Sequence, residues 1–196
     1  MAGIRMKLKS IGAPILDTFS VAGTLEGSTT TYGSKTWTKV GTGDTGVSKS
    51  GGVVRATGGT TNSLLVLDTG THNFDAGMKI SKLRAPTSIT ALIVRAGSDT
   101  TYFSLSLRLD GSNPAYTLLK RSGGTNTQLI ATGVAPKEGD MVLLSIRNHV
   151  ATVIVNGAAL GSATLDAYGS NYNAGLLFNG TDTTTEIHDF AVYPVL

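Results

Sequence analysis

The chain has 196 residues, a formal net charge of +3 and only 15% charged side chains. That length suits one large β domain or two small ones, and it can bury a core without covalent staples. There is no cysteine, which excludes disulfides, a thiolate metal site and a cysteine nucleophile. Three of the 16 basic residues, Arg5, Lys7 and Lys9, lie in the first ten positions, which hold no acid; the other 13 bases face 13 acids. The basicity therefore belongs to an N-terminal arm. A neutral body without a basic stripe argues against nucleic acid as the partner. No apolar run approaches the ~20 residues that span a bilayer, so membrane insertion is not expected. Met1 to Ile11 alternates charge with apolar residues and lacks the apolar segment of a secretory signal.

The predicted elements begin with that arm, residues 1–16. Ile4, Met6 and Leu8 alternate with Arg5, Lys7 and Lys9, a strand pattern with one apolar and one cationic face. Such a strand suits pairing with the sheet edge of another chain; it also suits a first edge strand of the same domain, blunted by lysines. Pro14 punctuates its end. Then come a short start at Asp17-Thr18-Phe19, a Gly/Ser/Thr-rich connection, and strands near 36–40 and 52–57. Trp37 is the only tryptophan and is assigned to the core. Further strands are predicted at 62–68, 76–84 and 87–95. Residues 102–109 alternate cleanly, with Phe103, Leu105, Leu107 and Leu109 on one face and Tyr102, Ser104, Ser106 and Arg108 on the other, as in a sheet with one buried face.

A hairpin follows, 116–121 with 127–132 across Gly123-Gly124-Thr125-Asn126. The clearest signal lies at 141–147 and 150–155. These runs are joined by Asn148-His149 and followed by Asn156-Gly157, the turn chemistry of tight antiparallel hairpins. Strands at 158–163, 173–179 and 186–193 complete the chain. Roughly fourteen short strands at close spacing, with no helical period, repeat or linker, predict one antiparallel all-β domain, a sandwich or barrel.

The ordered pieces resemble the concanavalin A-like, or laminin G-like, jelly-roll sandwich, in the variety found in tailed-bacteriophage virion proteins. The resemblance is carried by Asp17-Thr18-Phe19, Thr24-Leu25-Glu26-Gly27, Thr36-Trp37-Thr38 and Val53-Val54-Arg55-Ala56. It continues in the arginine, polar turn and tyrosine of Arg95 to Tyr102 and in the hairpin opening at Tyr116. Gly139-Asp140, Asn156-Gly157, Ala174-Gly175-Leu176 and Asp189-Phe190-Ala191-Val192 follow in order. It covers roughly residues 17–194. It implies a two-sheet antiparallel jelly roll over 17–196, with residues 1–16 as a docking arm. The same sandwich serves lectins, glycanases, adhesion modules and virion parts, so it specifies fold more than function.

Catalytic chemistry finds little support. Glycoside hydrolysis needs two facing carboxylates, and the only glutamates, Glu26, Glu138 and Glu186, lack the Glu-x-Asp-x-x-Glu spacing of related glycanases. His149 is expected to be solvated in its turn, His72 lies in a polar loop, and His188 is expected to be packed or hydrogen-bonded. No Gly-x-Ser-x-Gly elbow occurs. No cofactor is expected. A weak calcium site is the one metal option: Asn73-Phe74-Asp75 and Asp166-Ala167-Tyr168 approach a lectin-type loop, but each supplies one or two of the six to eight oxygens calcium takes. For sugar binding the best candidate is the loop Tyr168, Asn171, Tyr172 and Asn173, with two aromatics and two amides; Tyr32 is a further exposed candidate.

The resemblance, the neutral Gly/Thr-rich body and the distinct arm lead to the expectation of a non-enzymatic virion component. A minor tail protein is slightly favoured over a capsid decoration protein. It would be displayed on the particle surface as a homo-oligomer, docked through Ile4, Arg5, Met6, Lys7, Leu8 and Lys9 on tail or capsid proteins. The alternative is a carbohydrate-binding module that recognises a host-surface glycan through rim loops.

Overall fold

The computed structural model describes residues 12–83, 90–109 and 114–195. Among these residues there is no helix. The strands are β1 (Ile15–Asp17), β2 (Gly23–Thr24), β3 (Thr38–Val40), β4 (Gly46–Ser50), β5 (Val53–Gly58), β6 (Asn62–Asp68), β7 (Phe74–Lys82) and β8 (Ala91–Ser98). They continue as β9 (Thr101–Arg108), β10 (Ala115–Ser122), β11 (Thr125–Ala131), β12 (Met141–Arg147), β13 (Val150–Val155), β14 (Ala158–Thr164), β15 (Asn173–Asn179) and β16 (Glu186–Pro194). They form two antiparallel sheets. One has nine strands in the order β14-β13-β12-β7-β16-β5-β4-β2, with β1 also on β16; the other has seven, β11-β10-β9-β8-β15-β6-β3. The protein is an all-β, two-sheet jelly-roll sandwich, as its sequence predicts.

The alternation of side chains explains the layers. Phe103, Leu105 and Leu107 of β9, Leu65 and Leu67 of β6, and Leu176 and Phe178 of β15 enter the main core between the sheets. They meet Val142, Leu144 and Ile146 of β12 and Phe190 and Val192 of β16 from the other side. Burying one such side chain stabilises the fold by roughly 1.5–3 kcal/mol. Turn chemistry sets the register. Asn148 (φ 46°) and His149 (φ 67°) both take the left-handed region, so Arg147 faces Val150. Asn156 (φ 51°) and Gly157 (φ 85°) repeat that geometry between β13 and β14. These are the conformations a two-residue hairpin loop requires. At the middle hairpin the turn is Gly123-Gly124 alone, and Thr125 and Asn126 already pair with Ser122 and Arg121.

Two differences from the sequence reading have physical causes. Among the described residues pairing begins at Ile15, inside the expected arm, because Ile15 and Leu16 lie opposite Val192 and Ala191 and the Ile15 side chain is buried. The docking residues Ile4 to Lys9 lie outside the described residues. β4 (GVSKS) was not anticipated: only Val47 is apolar, yet Lys49 is buried with it.

Lys49 is buried because of Asp17. The Asp17 carboxylate, 1% exposed, accepts hydrogen bonds from the Phe19 backbone N–H (2.9 Å), Trp37 Nε1 (2.8 Å) and the Thr31 hydroxyl (3.3 Å). Lys49 Nζ stands 3.8 Å away. Removing one partner of a buried charged pair leaves the other uncompensated, at about 3–5 kcal/mol. Asp17→Ala is therefore expected to lower the unfolding free energy by about 3–5 kcal/mol in urea titrations followed by Trp37 fluorescence. A loss below about 1 kcal/mol would show that the anchor is dispensable.

Candidate functional site

The outward face of the seven-stranded sheet and the loop entering β15 enclose an open groove of about 350 Å³. Strand parity places Thr38, Val66, Asp68 and Asn173 there, in register as Thr38 opposite Val66 and Asn173 opposite Asp68. Ser170, Asn171 and Tyr172 supply the opposite wall. The loop is held by its backbone. Tyr168 takes φ 58°, and its carbonyl accepts from the Asn171 N–H at 3.1 Å, closing a turn. The Tyr172 carbonyl accepts from both the N–H (2.7 Å) and the hydroxyl (2.9 Å) of Thr69, tying this loop to the one after β6.

The four predicted sugar-binding residues divide by what their side chains already do. The Tyr168 ring packs 5.5 Å from Phe103, and its hydroxyl donates to the Arg121 carbonyl at 3.0 Å. Asn173 grips the backbone of Ala96, accepting from its N–H at 2.7 Å and donating to its carbonyl at 2.8 Å. Both are committed to holding the loop. Tyr172 is 37% exposed, and its ring and that of His72 stand nearly perpendicular with their centres 4.5 Å apart. Among the described residues, neither the Tyr172 hydroxyl nor the Asn171 amide has a hydrogen-bonding partner in the protein. Tyr172 and Asn171 therefore face the groove uncommitted. Tyr32 lies beside β1, where its backbone pairs with Leu16, away from this lining.

Sequence reasoning missed Asp68, Thr38, Val66 and Ser170 as wall residues. Asp68 has a 68% exposed side chain, accepts from the Gly70 N–H at 2.9 Å and lies 3.5 Å from Lys35 Nζ. A signal existed: Asp68 is the first polar residue after the run 64–67 and shares the outward parity of Leu64 and Val66. Nothing local says that an edge strand and a loop a hundred residues later meet it.

Beneath the loop lies Arg95, 1% exposed with φ 53°. Its Nη1 donates to the Leu165 carbonyl (3.4 Å) and to His149 Nδ1 (3.1 Å), while Nη2 is buried without a partner. Arginine only donates, so His149 Nδ1 accepts and its ring proton sits on Nε2. Burial lowers the Arg95 pKa from its ordinary value, with Tyr172 acting in the opposite sense. His149 is exposed, as expected of a turn residue, yet it also braces a buried cation.

Other expected chemistry is distributed elsewhere. Glu186 faces Arg55 at 3.2 Å, and Glu138 accepts from the Leu83 N–H at 3.1 Å. Glu26 lines a separate cavity of about 120 Å³ beside Lys39 and Asp44. Hydroxyls and N–H groups of Thr60 and Thr61 hold the Asp44 carboxyl well below the usual range. His188 Nδ1 is 3.0 Å from Asp189. In the two calcium-like loops, Asp75 is buried 2.8 Å from Arg147 and Asp166 lies 2.9 Å from Lys120. Asn73 Oδ1 accepts from the Asn148 N–H. Each carboxylate faces a cation, and no group of three acidic, histidine or cysteine side chains gathers among the described residues. The groove offers an aromatic face, an amide, hydroxyls and a carboxylate around an apolar floor, which is binding chemistry.

No family model matches the sequence, and no curated protein sequence does. Solved structures do. The chain is similar to the exoplasmic/lumenal domain of VIP36 in its Ca2+-bound form, with TM-score 0.61 and 11% identity over 93% of this chain and 90% of that one. It is similar to domain 4 of AbnA, a GH43 extracellular arabinanase from Geobacillus stearothermophilus in complex with arabinotriose (TM-score 0.56, 15% identity, 90% and 94% covered). It is also similar to the carbohydrate-binding module CBM66 from Bacillus subtilis (TM-score 0.54, 10% identity, 78% and 91% covered). At these identities the likeness establishes a shared fold, the two-sheet antiparallel jelly roll.

The division of the loop is testable without a ligand. Tyr168→Ala is expected to destabilise the protein by about 2–3 kcal/mol, because the ring packs against the core. Tyr168→Phe should cost about 1 kcal/mol for the lost hydrogen bond. Tyr172→Ala should stay within about 0.5 kcal/mol of the native chain. Equal effects of Tyr168→Ala and Tyr172→Ala on thermal unfolding would contradict the division.

Proposed function

We propose that this protein is a non-catalytic carbohydrate-binding module whose ligand occupies the groove between β3, β6 and the loop Ser170–Asn173. The observation that carries this reading is the juxtaposition of an exposed aromatic, Tyr172, with the uncommitted Asn171 amide and the Asp68 carboxylate around Val66. Sugars present an apolar C–H face and a rim of hydroxyls. An aromatic ring matches the first, and amide, carboxylate and hydroxyl groups match the second. The neighbours in fold support it: one was solved with arabinotriose, and another, VIP36, also in a Man3GlcNAc-bound form.

A glycan array that includes arabinotriose and Man3GlcNAc, read with the native chain and its variants, tests the reading. Tyr172→Ala and Asn171→Ala are each expected to weaken binding at least tenfold, about 1.4 kcal/mol, with thermal stability unchanged. Binding that survives the double variant would remove the groove from consideration.

The setting we propose is the surface of a tailed-phage particle, where the module would adhere to a host glycan. The sequence resemblance and the cationic arm support this setting, and the fold neighbours do not bear on it. If residues 2–12 dock the module, their deletion should abolish incorporation into particles while glycan binding persists. Unchanged incorporation would overturn the docking role.

A further inference from the structure

The outward face of the seven-stranded sheet is not open along its length. The β8–β9 ladder runs in register up to Val94 opposite Phe103, then breaks, and the next pair is Ser98 with Thr101. At the break Arg95 takes φ 53°, and the Ala96 backbone bonds to the Asn173 amide in place of a strand. Gly97 lies close to Asn171, where an added Cβ would come 2.9 Å from its Nδ2. The tip then reaches β3. Asp99 Oδ2 accepts from the Thr42 N–H (3.3 Å) and hydroxyl (3.5 Å), and the Asp99 side chain lies against Gly41, where no Cβ would fit.

In the sheet, β3 and β8 are separated by β15 and β6. With strands ~4.8 Å apart, a flat path between them covers roughly 14 Å. Yet β8 touches both β3 and β6 directly. The hairpin tip therefore folds back across the outward face. Ala96 and Tyr102 pack with Leu64, Val66, Ile93 and Leu177 in an apolar cluster distinct from the main core. This explains why Leu64 and Ile93 are buried although they point out of the sandwich. The Arg121 guanidinium, 5.9 Å from the Tyr102 ring centre, backs the strap on its other side.

We propose that the hairpin tip, residues 95–102, determines specificity by confining the ligand to the end of a glycan chain. The inference rests on the glycan reading of the groove. What the strap leaves open is the corner lined by Thr38, Val66, Asp68 and Ser170 to Asn173. Its volume, about 350 Å³, is at the low end of the ~300–1,000 Å³ of small-ligand sites. That accommodates a mono- or disaccharide. An extended chain lying across the strands would have to pass through the space that Ala96, Gly97 and Asp99 occupy.

The test is calorimetric titration of the full chain with arabino- and manno-oligosaccharides of one to eight units. The native protein is compared with Asp99→Ala and with a variant in which an Asn-Gly turn replaces residues 97–100, keeping Ala96 and its bonds to Asn173. Native affinity is expected to level off at the disaccharide, changing less than twofold up to the octamer, while the shortened variant gains at least fivefold over that range. Asp99→Ala, which keeps the fold, should speed amide exchange at Thr42 and Gly97 to Thr101 at least tenfold and leave disaccharide affinity unchanged. Native affinity that climbs tenfold from disaccharide to octamer, or exchange unaffected by Asp99→Ala, would overturn the strap's role and leave the groove standing. If neither the native chain nor the shortened variant binds any member of either series, the glycan reading fails, and the inference with it.

Discussion

A buried carboxylate organises the first third of this protein. Asp17 lies between two sheets where an isolated charge would be costly, and three donors and a lysine compensate it. Each partner comes from a different segment: the chain just past β1, the connection near Thr31, the residue before β3, and β4. Their convergence fixes pieces that have little apolar surface of their own. Trp37 packs 5.0 Å from Phe190 and 6.4 Å from Phe19, so the same anchor joins the start of the chain to its last strand. Trp37 immediately precedes Thr38, the edge-strand residue that opens the groove. A polar interaction in the core thereby determines where one wall of the candidate site stands.

The groove follows a division of labour common to loop-built sites. Side chains that hold a loop are removed from binding, and those left over face solvent on a rigid support. Tyr168 and Asn173 do the holding, through Phe103, Arg121 and Ala96. Tyr172 and Asn171, between them, are what remains. Arg95 contributes from below, carrying a buried positive charge with one guanidinium nitrogen unmatched and a left-handed backbone. Such under-satisfaction is uncommon in native cores. It sits where the β8–β9 hairpin leaves the plane of its sheet, so the strain coincides with the element that narrows the groove.

Much of the architecture was legible because it rests on local rules. The turn at Asn148-His149 and the one at Asn156-Gly157 demand left-handed residues, and the alternation in 102–109 demands one buried face. Both patterns place the core-facing side chains as in the folded chain, although Tyr102 and Ser104, on the opposite face where solvent is expected, are buried as well. The glycine pair at 123–124 was visible as a turn, though two residues too broad. β4 escaped notice because its burial depends on Lys49 finding Asp17, a partner thirty-two positions away. The pairing of Ile15 escaped for a similar reason: its neighbour is Val192, at the far end of the sequence.

The same distinction separates what the sequence determined by itself from what tertiary structure decided. Residue periodicity and turn chemistry determined the class, most of the strands and the loop that carries Tyr172, because those depend on side-chain parity and on backbone conformations open to Asn and Gly. Tertiary structure decided which residues of that loop are available, that Asp68 and Thr38 join them, and that the hairpin tip crosses the sheet. These outcomes depend on contacts between segments far apart in the sequence, such as Asn173 opposite Asp68, 105 positions away. Such contacts exist only once two sheets have closed on a common core.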